Sequence, residues 1–292
     1  MRIVKSLRQE PYIILGWGVP VRSFVFQVIR ASLPFDYGFV TVNYNGLGLR
    51  FYVHYEAFQV IDELLLLNQY AEAFKLKPCV VVDVGVHVGA FTIPMAKGIM
   101  QSCGKGLVMA IEPVSINYRA LVNNIKVNDV ENVVLPVKAA VDVKRGVEEL
   151  GWVNVRERVN TITMDDVLRL MRGRGYDNVD LVKIDIEGAE LGILTLNTNW
   201  LRHVKALVME LHPSVYGIKG LRRIVSTLER EGFNVIHVKS QMNTRQALKK
   251  WIENINPSPQ WLTLLLWKTL VSMSLNQLEI DYWYAVKEEK LT

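Results

Sequence analysis

Apolar runs alternate with stretches of helical periodicity along most of this chain. From Pro78 onward the runs VVVDV, LVMAIEP, NVVLPVKAAV, VDLVKIDIEG, VKALVMELH and FNVIHV read as strands. Between them AFTIPMAKGIM, SINYRALVNNIKV, MDDVLRLMRG, AELGILTL and IKGLRRIVSTLEREG read as helices. Strands with almost no polar alternation are buried on both faces, so the pattern predicts an open, doubly wound, mostly parallel α/β sheet with helices on each side. In such sheets a ligand lies beyond the carboxyl ends of the strands, where the strand order reverses. The informative residues are therefore those just after each strand.

The flanking segments read differently. Residues 39–54, FVTVNYNGLGLRFYVH, predict a hairpin, with Asn45-Gly46 supplying the positive φ of a two-residue turn. The following AFQVIDELLLLNQYAEAF looks helical. Residues 1–77 form an N-terminal extension on a main domain of 78–292, which is interrupted by a helical insertion at 239–280. That insertion holds TRQALKKWIENI, a Pro-Ser-Pro break at 257–259 and the apolar Trp261–Leu275 segment. DYWYAVK then predicts a last strand that completes the sheet antiparallel to its neighbour.

Composition narrows the classes. Of 292 residues half are hydrophobic and 22% charged, which suits a globular domain with a real core. The net charge of +5 is spread out, and no nucleic-acid motif accompanies it. The basic, then apolar, N-terminus is broken by Glu10, Gly16, Gly18 and Pro20 and is not read as a signal peptide. No window has the apolar length of a membrane span, and Lys268 interrupts the closest one. The apolar helices of 245–278 suit burial or a homo-oligomer contact, with membrane-surface contact as the lesser reading. Cys79 reads as a core residue, Cys103 lacks metal-ligand spacing, and the pair fits a reducing cytoplasm.

Chemistry gathers at the strand ends. The first reads Asp83-Val-Gly85-Val-His87-Val-Gly89. The spacing is not the G-x-G-x-x-G of a dinucleotide site, and no G-K-[ST] follows as in a P-loop. A carboxylate two residues before the glycine would repel a pyrophosphate and suits a ligand bearing an ammonium, which points to S-adenosylmethionine. The second strand ends at Glu112, placed to accept hydrogen bonds from a ribose diol. The third ends at Asp142, which can meet an adenine amino group. In the fourth, Lys183, Asp185 and Glu187 share a face, a costly set to bury unless paired or used. Glu210 and His212 end the fifth strand on one face, and beside the fourth they would bring an imidazole to Asp185 and Glu187. Such a group can take a proton from a hydroxyl or hold a divalent metal ion.

Taken in order, DVGVHVGAFT, IEPVSINYRALVNNIKVN, TITMDDVL, VDLVKIDIEGAELGIL and VMELH resemble the FkbM family of S-adenosylmethionine-dependent methyltransferases over about residues 40–238. The resemblance implies a class I methyltransferase fold, Rossmann-like, with a seven-stranded sheet whose last strand is reversed. It implies O-methylation of a hydroxyl on a sugar or small metabolite. Cofactor contacts would fall at Asp83, Gly85, His87, Gly89, Glu112 and Asp142. Asp185 would be base or metal ligand, assisted by Glu187 and His212, with Lys183 keeping it ionised. The family loop usually reads D-V-G-A-N-x-G; here Val86 and His87 take the places of Ala and Asn. Two other readings stay open: a nicotinamide-dependent oxidoreductase, and a non-catalytic methyltransferase-fold subunit that binds a partner through its apolar helices.

Overall fold

The computed structural model describes residues 37–54, 57–61, 68–152, 155–243, 246, 249–250, 253–257 and 277–287. The chain opens with a hairpin of β1 (Tyr37–Tyr44) and β2 (Leu47–His54), then two short helices, α1 (Phe58–Ile61) and α2 (Ala71–Lys75). Next come β3 (Val80–Val84), α3 (Thr92–Ser102), β4 (Leu107–Ile111), α4 (Ser115–Val127), β5 (Val134–Val137) and β6 (Ala140–Val141). A second hairpin, β7 (Gly146–Trp152) and β8 (Val155–Ile162), leads to α5 (Met164–Arg172), β9 (Val179–Ile184) and α6 (Glu190–Thr195). A 3₁₀ turn at Asn199–His203 precedes β10 (Val204–Met209), α7 (Pro213–Arg230), β11 (Phe233–Asn243), β12 (Ile255–Pro257) and β13 (Gln277–Lys287).

The main sheet has seven strands in the order β11-β13-β10-β9-β3-β4-β5. β13 runs antiparallel to both its neighbours, β10 and β11, while β3 is parallel to β4 and β9. From β3 the chain winds outward through β4 and β5, then returns to lay β9 and β10 on the other side. The order therefore reverses between β3 and β9, and their carboxyl ends flank the crevice where a ligand is expected. Alternate side chains feed two cores. Val81, Val108, Leu181 and Val208 face the side of α3, α4 and the N-terminal hairpin. Val82, Met109, Val182 and Leu207 face the side of α5, α6 and α7.

The Asn45-Gly46 turn forms as expected, with φ of 50° and 81°. The hairpin's β2 edge lies against α4, where two asparagines complete it. Asn128 accepts from the Arg50 N–H at 2.9 Å and donates to the Arg50 carbonyl at 2.6 Å. Asn124 does the same for Tyr52, at 2.5 and 3.0 Å. On its other edge the hairpin takes up β12, so part of the late insertion extends the N-terminal sheet. β11 runs on to Asn243 and β13 begins at Gln277, so both strands reach into 239–280. The Trp261 segment, and with it most of the 245–278 contact surface, lies outside the described residues, as does 62–67 between α1 and α2.

Two expectations need correction, and one hairpin was not anticipated. NVVLPVKAAV is not one strand: β5 is an edge of the main sheet, and β6 leaves it to pair with β8 in a separate sheet of order β6-β8-β7. The two pieces are equally apolar, so composition hides the break. The β7–β8 hairpin was not legible, because most of its described positions are charged or exposed and few apolar residues mark its buried side. Cys79 and Cys103 form a disulfide, with their Cα atoms 5.8 Å apart. α3 runs back along β3, which returns its C-terminus to the strand's start. The cysteines therefore give no support to a reducing compartment.

Candidate active site

The loop after β3 is shaped by backbone. Gly85 has φ 79° and lies so close to the neighbouring strand end that a Cβ there would sit 1.8 Å from the Asp185 carbonyl oxygen. No side chain fits, and only glycine takes that φ cheaply. His87 adopts φ 54°, the left-handed backbone for which the family's usual asparagine is better suited. Its N–H donates to Glu112 Oε2 at 2.8 Å. Glu112 Oε1 accepts from the Val114 N–H at 2.9 Å and from Asn117 Nδ2 at 3.2 Å. Burial pushes the Glu112 carboxyl up to about 7, against the pull of those three donors. Asn124, besides capping β2, donates to the Val88 carbonyl at 2.8 Å and ties α4 to the same loop.

Asp83 does not open onto the loop. Its side chain is 0% exposed and accepts from Thr92 Oγ1 at 2.5 Å. The ammonium that faces it belongs to the chain itself: Lys183, its register partner on β9, stands 3.7 Å away. Lys183 Nζ also donates to the Gly85 carbonyl at 2.7 Å and lies 3.5 Å from Asp185 Oδ2. Burial alone would lower the lysine's pKa; Asp185, Asp83 and Glu210 more than offset it and hold the ammonium charged. One buried cation thus joins the glycine loop to the acid at the next strand end.

Beyond β9 and β10 a second group assembles. Asp185 continues the ladder through its N–H to the Val84 carbonyl at 3.0 Å. Glu187, at φ 56°, and Gly188, at φ 108°, turn the chain sharply into α6. A Cβ on Gly188 would meet Val215 of α7 at 2.6 Å, so this turn too is packed closed. His212 Nε2 lies 3.5 Å from Glu187 Oε2 and 3.7 Å from Glu210 Oε1. Its Nδ1 donates to Glu190 Oε1 at 3.0 Å, and the His212 N–H donates to Tyr216 Oη at 2.7 Å. Glu190 is 0% exposed and also accepts from the Ile186 N–H at 3.0 Å. Burial would lower the His212 pKa, but Glu190, Asp185 and Glu187 raise it to about 9.

The structure therefore brings Asp185, Glu187, His212 and Lys183 together, with Gly85 against them. Glu112, His87 and Gly89 stand on the β4 side of the same loop. Asp142 is apart from these contacts: it lines a small pocket with Val143, Thr163, Met164, Ile193, Asn197 and Trp200. Sequence reasoning gave no role to Glu190, which opens α6 just after the left-handed turn at Glu187 and Gly188. It had no signal for Gln69 and Tyr70. Between left-handed Asn68 and Tyr70, these reach from the N-terminal section to Glu210, with Gln69 Nε2 donating at 3.0 Å and Tyr70 Oη at 3.4 Å.

A seven-stranded sheet with one reversed strand, a glycine loop at its switch point and acids at the adjoining strand ends define a class I, S-adenosylmethionine-dependent methyltransferase fold. The chain belongs to the FkbM methyltransferase family: the family model described as "Methyltransferase FkbM domain" matches residues 83–235, just over half of it. No curated protein matches. Among solved structures, an O-methyltransferase from Bacillus cereus in complex with SAH is 12% identical, covering 94% of each chain at a TM-score of 0.43. The O-methyltransferase TomG from Streptomyces achromogenes, solved with SAM, is 12% identical over 79% of this chain and 80% of that one, at a TM-score of 0.44. A precorrin-6y C5,15-methyltransferase from Geobacter metallireducens is 15% identical over 75% and 88%, at 0.41. Likenesses this distant add nothing to what the strand order already establishes. Among the described residues, no helix is long and apolar enough to cross a membrane.

Proposed function

We propose that this protein moves a methyl group from S-adenosylmethionine to a hydroxyl oxygen of a small-molecule or sugar acceptor. The observation that carries the reading is the contact between Gly85 and the Asp185 carbonyl, which sets the acid group against the cofactor loop. The cofactor would lie across Gly85–Gly89, its ribose hydroxyls donating to Glu112, whose Oε2 takes only one hydrogen bond from the loop. Asp83 would act through Lys183, which fixes the Gly85 carbonyl, rather than by touching the ligand. Asp142 would contribute at the adenine end. Gln69 and Tyr70, which reach Glu210, would bring the N-terminal section to the acceptor side.

In transfer, a lone pair of the acceptor oxygen forms the new O–C bond. S-adenosylmethionine would supply the methyl group with S-adenosylhomocysteine as the leaving group, and the Asp185 carboxylate would take the hydroxyl proton. Most of the rate would come from holding the reactants in line, with the base adding its share. His212, held as a cation by Glu190, would keep Asp185 and Glu187 ionised rather than serve as the base. Calorimetry with S-adenosylmethionine and with NAD tests the cofactor directly: tight binding of the first alone is expected. Binding of NAD alone would overturn the reading in favour of an oxidoreductase. Methyl release from labelled cofactor across a panel of alcohols and sugars then tests the acceptor class. Tight cofactor binding with no transfer at all would favour the interaction-subunit reading.

A further inference from the structure

Six ionisable side chains meet at the ends of β9 and β10. Asp185, Glu187, Glu190 and Glu210 are acids; Lys183 and His212 are cations within ion-pair reach of them. Three of its atoms converge: one donor each from Asp185, Glu187 and His212 lies within 4.8 Å of the others. The separations are informative. His212 Nε2 stands 3.5 and 3.7 Å from the Glu187 and Glu210 oxygens, too far for N–H···O bonds of ordinary length. Two ligands on one ion, each about 2.0–2.2 Å from it and roughly 90–120° apart, sit about 3.0–3.7 Å from one another.

The other face of the imidazole supplies a second, independent observation. Glu190 is outside the converging set, fully buried, and fixes Nδ1 as the donor nitrogen, while its own Oε2 accepts no hydrogen bond. That arrangement aims Nε2 at the carboxylates, where a bound ion would displace its proton. It is the carboxylate–histidine pairing that orients metal-bound histidines. We infer that Asp185, Glu187 and His212 Nε2 bind one divalent cation of the kind that accepts mixed oxygen and nitrogen donors, such as Mn²⁺ or Zn²⁺. Three protein donors leave positions open to a hydroxyl, which a bound ion would make more acidic. The inference rests on the reading of this end as the acceptor side, but its test needs no turnover.

The test is titration of the full-length protein with MnCl₂, following the free-ion signal by electron paramagnetic resonance, and with ZnCl₂ by calorimetry. One equivalent per chain is expected. Glu187→Gln and His212→Ala should each abolish it, with thermal melts confirming that the variants fold. Glu187 is partly exposed on a turn, so its variant keeps the test clear of a folding failure. Glu190→Gln should weaken binding roughly 10- to 100-fold while keeping the stoichiometry. Calorimetry with S-adenosylhomocysteine on the same samples separates the two readings, since cofactor binding without ion uptake would sink only the ion site. No stoichiometric uptake at millimolar metal, or uptake untouched by both variants, overturns the proposal. So does transfer that proceeds without metal and selects ammonium-bearing alcohols, which would assign these carboxylates to the acceptor.

Discussion

The two halves of the site are built from different materials. The half after β3 and β4, the proposed cofactor half, is held by main-chain groups: Gly85 pressed on a carbonyl, and the His87 and Val114 N–H groups on one buried carboxylate. The half after β9 and β10, the proposed acceptor half, is held by charged side chains paired with one another. Backbone geometry survives a change of side chain wherever the dihedral angles are kept. A charge network does not, because removing one partner leaves the others uncompensated. The cofactor half should therefore be sensitive to shape and indifferent to residue type, and the acceptor half the reverse.

Substitutions can break that contrast. The largest effect is expected at Asp185→Asn, which keeps shape and removes charge: transfer should fall by roughly 100- to 10,000-fold, with S-adenosylhomocysteine affinity nearly unchanged by calorimetry. A fully active variant would remove Asp185 from the role of base. Gly85→Ala changes shape and no charge. It should cost on the order of 3 kcal/mol of stability or more by denaturant titration and weaken cofactor binding, since the clash is with backbone.

Glu112 sharpens the comparison through pH. Its folded pKa, about 7, lies above the ordinary carboxylate value, so its contribution is full below about pH 4.5 and is lost as pH rises through 7. Wild-type stability should therefore decline across that window by up to roughly 3 kcal/mol on this account. Denaturation of Glu112→Gln at pH 5 and pH 8 should show the decline reduced; an unchanged slope would place its cause elsewhere. The smallest effect is expected at His87→Asn, which suits the left-handed backbone and keeps the N–H to Glu112. Affinity for cofactor should stay within about twofold, and stability within about 0.5 kcal/mol. A lost limb in the pH profile of binding would mean the imidazole itself takes part.

Legibility in the sequence followed the same division. The doubly wound sheet, its reversed last strand and the meeting of Asp185, Glu187 and His212 could be read, because buried strands are apolar runs and alternation fixes which side chains share a face. Asp83 was read by charge alone as facing a ligand; that Lys183 is its register partner depends on which strands are neighbours. The Gln69–Tyr70 reach to Glu210 depends on two left-handed residues that carry no glycine to mark them. The disulfide was missed because the return of α3 to the start of β3 is a fact of packing, invisible in a separation of 24 residues.

The paired asparagines of α4 carry one more meaning. Four residues of helix rise about 6.0 Å and two of strand about 6.6 Å, so the two scales nearly coincide and Asn124 and Asn128 read the hairpin like the marks of a vernier. A slip of β2 by one residue would turn its carbonyls and N–H groups away from both amides at once. Because Asn124 holds the Val88 carbonyl with the same amide, the hairpin and the cofactor loop are measured against a single mark. The N-terminal hairpin is thus gauged to the loop, and on the proposed reading whatever it offers an acceptor would arrive already in register with the methyl donor.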